Sequence, residues 1–138
     1  MKTKQTASAD DSQFVLIAED DVANRSVLEK FLSMDGYAIF SADNGVEALR
    51  LFGDHADNIG LCLIDANMPE LDGLSVIREI RAKDASLPVF LLTGEADRQA
   101  PLPTAELRIT RHFVKPFDWQ ELRGAVASVM SGRAHKGT

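Results

Sequence analysis

The sequence holds one cysteine, Cys62, among its 138 residues, so no disulfide can staple the chain internally. Cys62 lies inside the apolar run IGLCLI, where a buried, inert thiol is expected rather than a nucleophile. No apolar run approaches the ~18 residues that suggest a membrane-spanning helix. The first thirteen residues, MKTKQTASADDSQ, carry lysines but no apolar segment behind them. That does not fit a secretory leader and leads to the expectation of a cytoplasmic protein. Basic charge is also in deficit: 15 Lys and Arg against 21 Asp and Glu give a net charge of −6. A sequence-independent grip on nucleic acid comes from cations neutralising phosphates, so direct nucleic-acid binding is not expected.

What is present suits one globular domain. The length falls near the ~100 to 150 residues typical of a single folding unit, and 45% hydrophobic residues are enough for one core. Five short apolar runs, FVLIA (14–18), YAIFS (37–41), GLCLI (60–64), PVFLL (88–92) and RHFV (111–114), read as strands. They are apolar throughout rather than alternating, as strands covered on both faces of a parallel sheet must be. Amphipathic stretches separate them, and helices are expected over 22–34, about 44–54, about 73–82 and 119 to about 131. Gly36 stops the first helix, Asp21 and Asp72 read as N-caps, and Asp118 with Glu121 makes a capping signature. The fourth helical slot contains Pro101 and Pro103, each of which removes a backbone donor, so that helix is expected to be short, shifted or mobile. The predicted architecture is an α/β domain of (βα)₅ type over 14–131, with disordered polar tails at 1–13 and 132–138.

In such a sheet, ligands bind beyond the carboxyl ends of the strands. Glu19, Asp20 and Asp21 follow the first strand, Asp65 the third, Thr93 the fourth, and Lys115 with Pro116 the fifth. Several carboxylates converging on one crevice repel each other unless a cation or protons neutralise them. Oxygen donors with no His or Cys beside them suit Mg²⁺, which commonly bridges to a phosphoryl oxygen. Thr93 and Lys115 then read as a hydroxyl and a cation aimed at that anion. Taken singly, each residue has a plainer reading. The acids after the first strand can complement a helix dipole, Thr93 can cap a helix, and Lys115 can be an ordinary surface lysine. Trp119 and Phe117 read as packing residues.

The motifs LIAEDD, LIDANMPELDG, LLTGE and FVKPF, taken together in this order and spacing, resemble the receiver domain of two-component response regulators over residues 14–131. The resemblance implies a doubly wound, flavodoxin-like sheet of order 2-1-3-4-5. It also implies an aspartate that takes phosphate from a phosphohistidine on a sensor histidine kinase or histidine phosphotransfer protein. By position, Asp65 is then the phosphoacceptor, and Glu19 and Asp20 form the acidic pair, with Asp20 as the direct Mg²⁺ ligand and Glu19 standing where many members have Asp. Asn67 would offer its backbone carbonyl to the metal. Lys115 would contact the phosphoryl group across a cis Lys115–Pro116 bond. Thr93 would be the switch hydroxyl, and His112, in place of the usual aromatic, the second switch position.

About twenty residues remain after Lys115 and the last helix uses them, so the output is expected to pass to a separate downstream protein. The resemblance places that contact on the fourth helix, fifth strand and fifth helix, and leaves phosphorylation-dependent dimerisation open. Two alternatives remain. One is a pseudo-receiver that binds without being phosphorylated, against which Asp65, Thr93 and Lys115 all count. The other is a small Mg²⁺-dependent phosphatase with Asp65 as nucleophile; enzymes of the haloacid dehalogenase type need an acid two residues further on, where this chain has Asn67.

Overall fold

The computed structural model describes residues 14–94 and 102–136. In chain order the elements are β1 (Phe14–Ala18), α1 (Val22–Met34), β2 (Ala38–Ala42), α2 (Gly45–His55), a 3₁₀ turn (Ala56–Asn58), β3 (Ile59–Asp65), α3 (Gly73–Lys83), β4 (Val89–Thr93), β5 (Arg111–Val114) and α4 (Trp119–Lys136). The five strands form one parallel sheet of order β2-β1-β3-β4-β5, the flavodoxin-like arrangement.

Both faces of that sheet are covered, which is why its central strands are apolar up to the polar residues Asp65 and Thr93 that end β3 and β4. Leu16, Ala18, Cys62, Ile64, Val89 and Leu91 point into a layer shared with α2 and α3. Their chain neighbours Val15, Ile17, Leu61, Leu63, Phe90 and Leu92 point the other way, into a layer shared with α1 and α4. The alternation of side chains along a strand accounts for this division. Cys62 is fully buried, and no described helix is long and apolar enough to cross a membrane.

Short polar side chains start the helices. Asp21 accepts from the Asn24 amide at 2.8 Å, Asn44 from Glu47 at 2.7 Å, Asp72 from Ser75 at 2.9 Å and Asp118 from Glu121 at 3.1 Å. At the end of α1, Gly36 takes φ +97°, and the Gly36 and Tyr37 amides bond back to Ser33 and Leu32. This left-handed cap consumes the Tyr37 N–H, so β2 opens at Ala38 rather than at Tyr37.

Two expectations need correction. The slot between β4 and β5 holds no α-helix among its described residues. Residues 103–107 make one turn, closed by Leu107 N to Pro103 O at 3.0 Å. It ends in a left-handed cap, with Arg108 at φ +53° and the Arg108 and Ile109 amides bonded to Ala105 and Thr104. A non-glycine residue in that conformation is held there by Arg81, whose guanidinium donates to the carbonyls of Leu107 (2.8 Å), Arg108 (2.9 Å) and Asp84 (3.0 Å). Pro101 itself lies outside the described residues. The second correction is at the C-terminus, where α4 runs to Lys136, so the tail expected from residue 132 is helical in its backbone through 136. Gly132 costs the helix about 1 kcal/mol but does not stop it, and no proline follows.

Candidate functional site

Strand register assembles the site. Ala18 pairs with Ile64 across β1 and β3, so Glu19, the next residue, is delivered beside Asp65. Thr93 pairs with Val114 across β4 and β5, which brings Lys115 to the same edge. These residues come from four parts of the chain and meet because parallel strands end together.

Glu19, Asp65 and Thr93 are the buried polar or charged residues among those described, at 0%, 3% and 0% exposure. Lys115 compensates part of the negative charge. Its Nζ donates to Asp65 Oδ2 at 2.9 Å and lies 2.9 Å from Glu19 Oε1. The second contact is an ion pair without hydrogen-bond geometry, and Glu19 Oε1 is a buried oxygen with no hydrogen-bond partner. The other oxygen, Oε2, accepts from the Asp21 amide at 3.1 Å. Asp65 Oδ1 accepts from the Asn67 amide at 3.1 Å.

Burial first, reinforced by Asp65 and opposed by Lys115, raises the Glu19 carboxyl from its ordinary 4.5 to about 7. For Lys115, burial works to lower the ammonium pKa, but Asp65 and Glu19 outweigh it and the result is a rise. The site therefore carries more negative charge than one lysine balances. One carboxylate oxygen each from Glu19, Asp20 and Asp65 lie within 4.8 Å of one another, with Asp20 exposed at the mouth. An all-oxygen set whose negative charge one lysine only partly balances fits a hard divalent cation such as Mg²⁺.

Thr93 and His112 are joined directly, with Thr93 Oγ1 2.6 Å from His112 Nε2. His112 is exposed on β5. Trp119 and Phe117 are packing residues, as expected. Trp119 meets Phe117 edge-on at 5.3 Å and Phe31 at 5.4 Å.

Three supporting residues have roles that the sequence does not show, although Gly73 closes the motif LIDANMPELDG. Arg25 donates to the carbonyl of Glu19 at 2.9 Å and reaches that of Asp20 at 3.5 Å, holding the strand-to-helix turn that presents both acids. Gly45 and Gly73 press against main chain: a Cβ at either would lie 2.0 Å from a carbonyl oxygen, of Leu71 and Asp65 respectively. Between them the 66–72 loop, with Glu70 at φ +71°, is clamped from α2 and α3. An arginine one turn into a helix and a glycine at a helix start look ordinary in sequence, and only their contacts distinguish them.

Residues 15–127 match the family model described as the response regulator receiver domain. The chain is 39% identical over 116 residues to the probable transcriptional regulator ycf27 of Guillardia theta, covering 84% of this chain and 44% of that protein. It is 30% identical over 112 residues to sporulation initiation phosphotransferase F of Bacillus subtilis, covering 81% of this chain and 89% of that protein. The chain spans 44% to 47% of the length of the ycf27 relatives it matches. Among solved structures, a response regulator receiver domain protein from Clostridium thermocellum superposes with a TM-score of 0.80 at 24% identity, over 88% of this chain and 96% of that one. That likeness speaks for the fold. The response regulator TrrA from Thermotoga maritima, solved in complex with Mg(2+)-BeF, has a TM-score of 0.75 and 32% identity, over 85% of this chain and 98% of that one.

Proposed function

The chain belongs to the response regulator receiver domain family of two-component signalling, and on that premise we propose that Asp65 accepts a phosphoryl group from a phosphohistidine on a cytoplasmic sensor kinase or phosphotransfer protein. The observation that carries the reading is the meeting of buried Asp65 with Glu19, Asp20 and Lys115 at one sheet edge. A carboxylate oxygen of Asp65 attacks phosphorus; the P–O bond forms as the P–N bond breaks, and its electron pair returns to the imidazole of the donor. Asp65 is ready for this because Lys115 and the Asn67 amide hold its two oxygens in fixed directions.

Glu19, Asp20 and Asp65, with the backbone carbonyl of Asn67, would hold Mg²⁺. When bound, it supplies positive charge against the crowded carboxylates and the incoming phosphoryl oxygens. Lys115 contributes a second positive charge from the end of β5, and Thr93 supplies a hydroxyl for the phosphoryl group. The change at Thr93 and His112 then passes to the surface of residues 102–110, β5 and α4, which a downstream protein reads.

The test is incubation of wild type and Asp65→Asn with Mg²⁺ and a small phosphodonor, followed by intact-mass measurement. Wild type gains one phosphate and the variant none. Absence of any gain in wild type with every donor, phosphohistidine included, would refute the reading.

A further inference from the structure

The hydroxyl assigned to the phosphoryl group has a partner of its own on the neighbouring strand. Thr93 Oγ1 is 2.6 Å from His112 Nε2, a short bond for any oxygen–nitrogen pair. The two residues are diagonal neighbours on adjacent parallel strands, since Thr93 pairs with Val114 and Leu91 with His112. Their side chains therefore share one face of the sheet. Thr93 is fully buried, whereas His112 is exposed.

A hydroxyl has a single proton to give and two lone pairs. Buried donors left without an acceptor are rarer in folded proteins than under-used acceptors. In the tautomer that leaves Nε2 unprotonated, the Thr93 proton goes to Nε2, its hydrogen-bond partner among the described residues. That proton is also the one a phosphoryl oxygen on Asp65 would need. The two acceptors compete for it, and the imidazole holds it first.

We infer that His112 is a positioning residue that acts as a brake: it fixes the Thr93 hydroxyl in its resting place, and phosphorylation must break this bond to recruit the hydroxyl. The inference rests on Asp65 being the phosphoacceptor and adds the direction of the effect. Removing the imidazole makes the chain easier to activate.

Calorimetric titration with beryllofluoride at fixed Mg²⁺ tests this. His112→Ala and His112→Phe are expected to lower the half-saturating concentration about three- to tenfold, the range of one hydrogen bond. His112→Gln, which keeps a polar atom near the place of Nε2, stays close to wild type. In a Thr93→Val background the His112 substitutions have no effect, because the bond is already gone; a role in packing alone would give the same shift in both backgrounds. Unchanged or weaker binding in the Ala and Phe variants overturns the brake, as does a shift that persists without Thr93. Failure of wild type itself to bind beryllofluoride overturns the phosphoacceptor reading and the brake with it. A separate readout needs no phosphoryl mimic: the nitrogen-15 resonance of His112 Nε2 in the resting protein is expected to move on Thr93→Val, and an unmoved resonance rejects the bond alone.

Discussion

A Cβ added to Gly73 would lie 2.0 Å from the backbone carbonyl oxygen of Asp65. The first residue of α3 and the last residue of β3 thus touch main chain to main chain, and the Gly73 amide also bonds to the Ala66 carbonyl at 2.9 Å. Gly73→Ala must push the helix off the strand end. Overpacking of this kind costs about 1–3 kcal/mol, and it displaces Asp65 itself. Urea unfolding is expected to show that loss together with a fall in phosphorylation rate. Gly53→Ala is the control: nothing lies within 4 Å of its added Cβ, and it is expected to stabilise α2 by about 0.5–1 kcal/mol. Equal effects from the two substitutions would contradict the contact.

Asp65→Asn is expected to make the metal-free protein more stable while abolishing phosphate uptake. Asp65 raises the Glu19 pKa both by its contact and by its charge, and the amide removes that repulsion while Lys115 keeps Glu19 as a partner. A gain of about 1 kcal/mol corresponds to a rise of a few degrees in melting temperature. A fall in chelator would mean that attraction between Lys115 and Asp65 exceeds the repulsion between the two acids.

In chelator, stability should fall as pH rises through the range set by Glu19. The unfolded chain releases this proton near 4.5, and the folded chain keeps it to about 7. Between those values the folded state binds more protons, so each step up in pH favours unfolding, and the effect levels off above 7. The ceiling is on the order of 3 kcal/mol, since one pKa unit is about 1.4 kcal/mol. Urea unfolding across the window should give a shallower pH slope for Glu19→Gln than for wild type, and identical slopes would rule the assignment out.

Arg81→Met should loosen the connection into β5. The guanidinium caps the carbonyls of Leu107 and Arg108 and ties them to α3. Hydrogen bonds from a charged group are worth about 1.5–3 kcal/mol each, so amide exchange at Leu107, Arg108 and Ile109 is expected to speed at least tenfold, with little change in β1 or β3. Uniform acceleration over the whole chain would instead indicate global destabilisation.

Much of the fold was legible because it depends on local pattern. FVLIA and RHFV begin and end where β1 and β5 do, and Val22–Met34 is α1 as its spacing and Gly36 required. Boundaries slipped where a backbone group had a tertiary or capping use. Tyr37 left β2 to close α1. The fourth helical slot is a single turn in its described part, held by an arginine 26 residues away in the chain.

Residue types and their places after each strand determined that carboxylates, a hydroxyl and a lysine would gather at one edge, since parallel strands connected by helices must all end on the same side. Only the folded chain decided how they meet: that Glu19 is fully buried while Asp20 is exposed, that Lys115 lies 2.9 Å from both Glu19 and Asp65, and that Thr93 is bonded to His112. The reason is physical. Strand order and register are set by the packing of two apolar layers far from the site, and distances of 3 Å between residues 50 or more apart in the chain follow from that packing and from nothing written next to them.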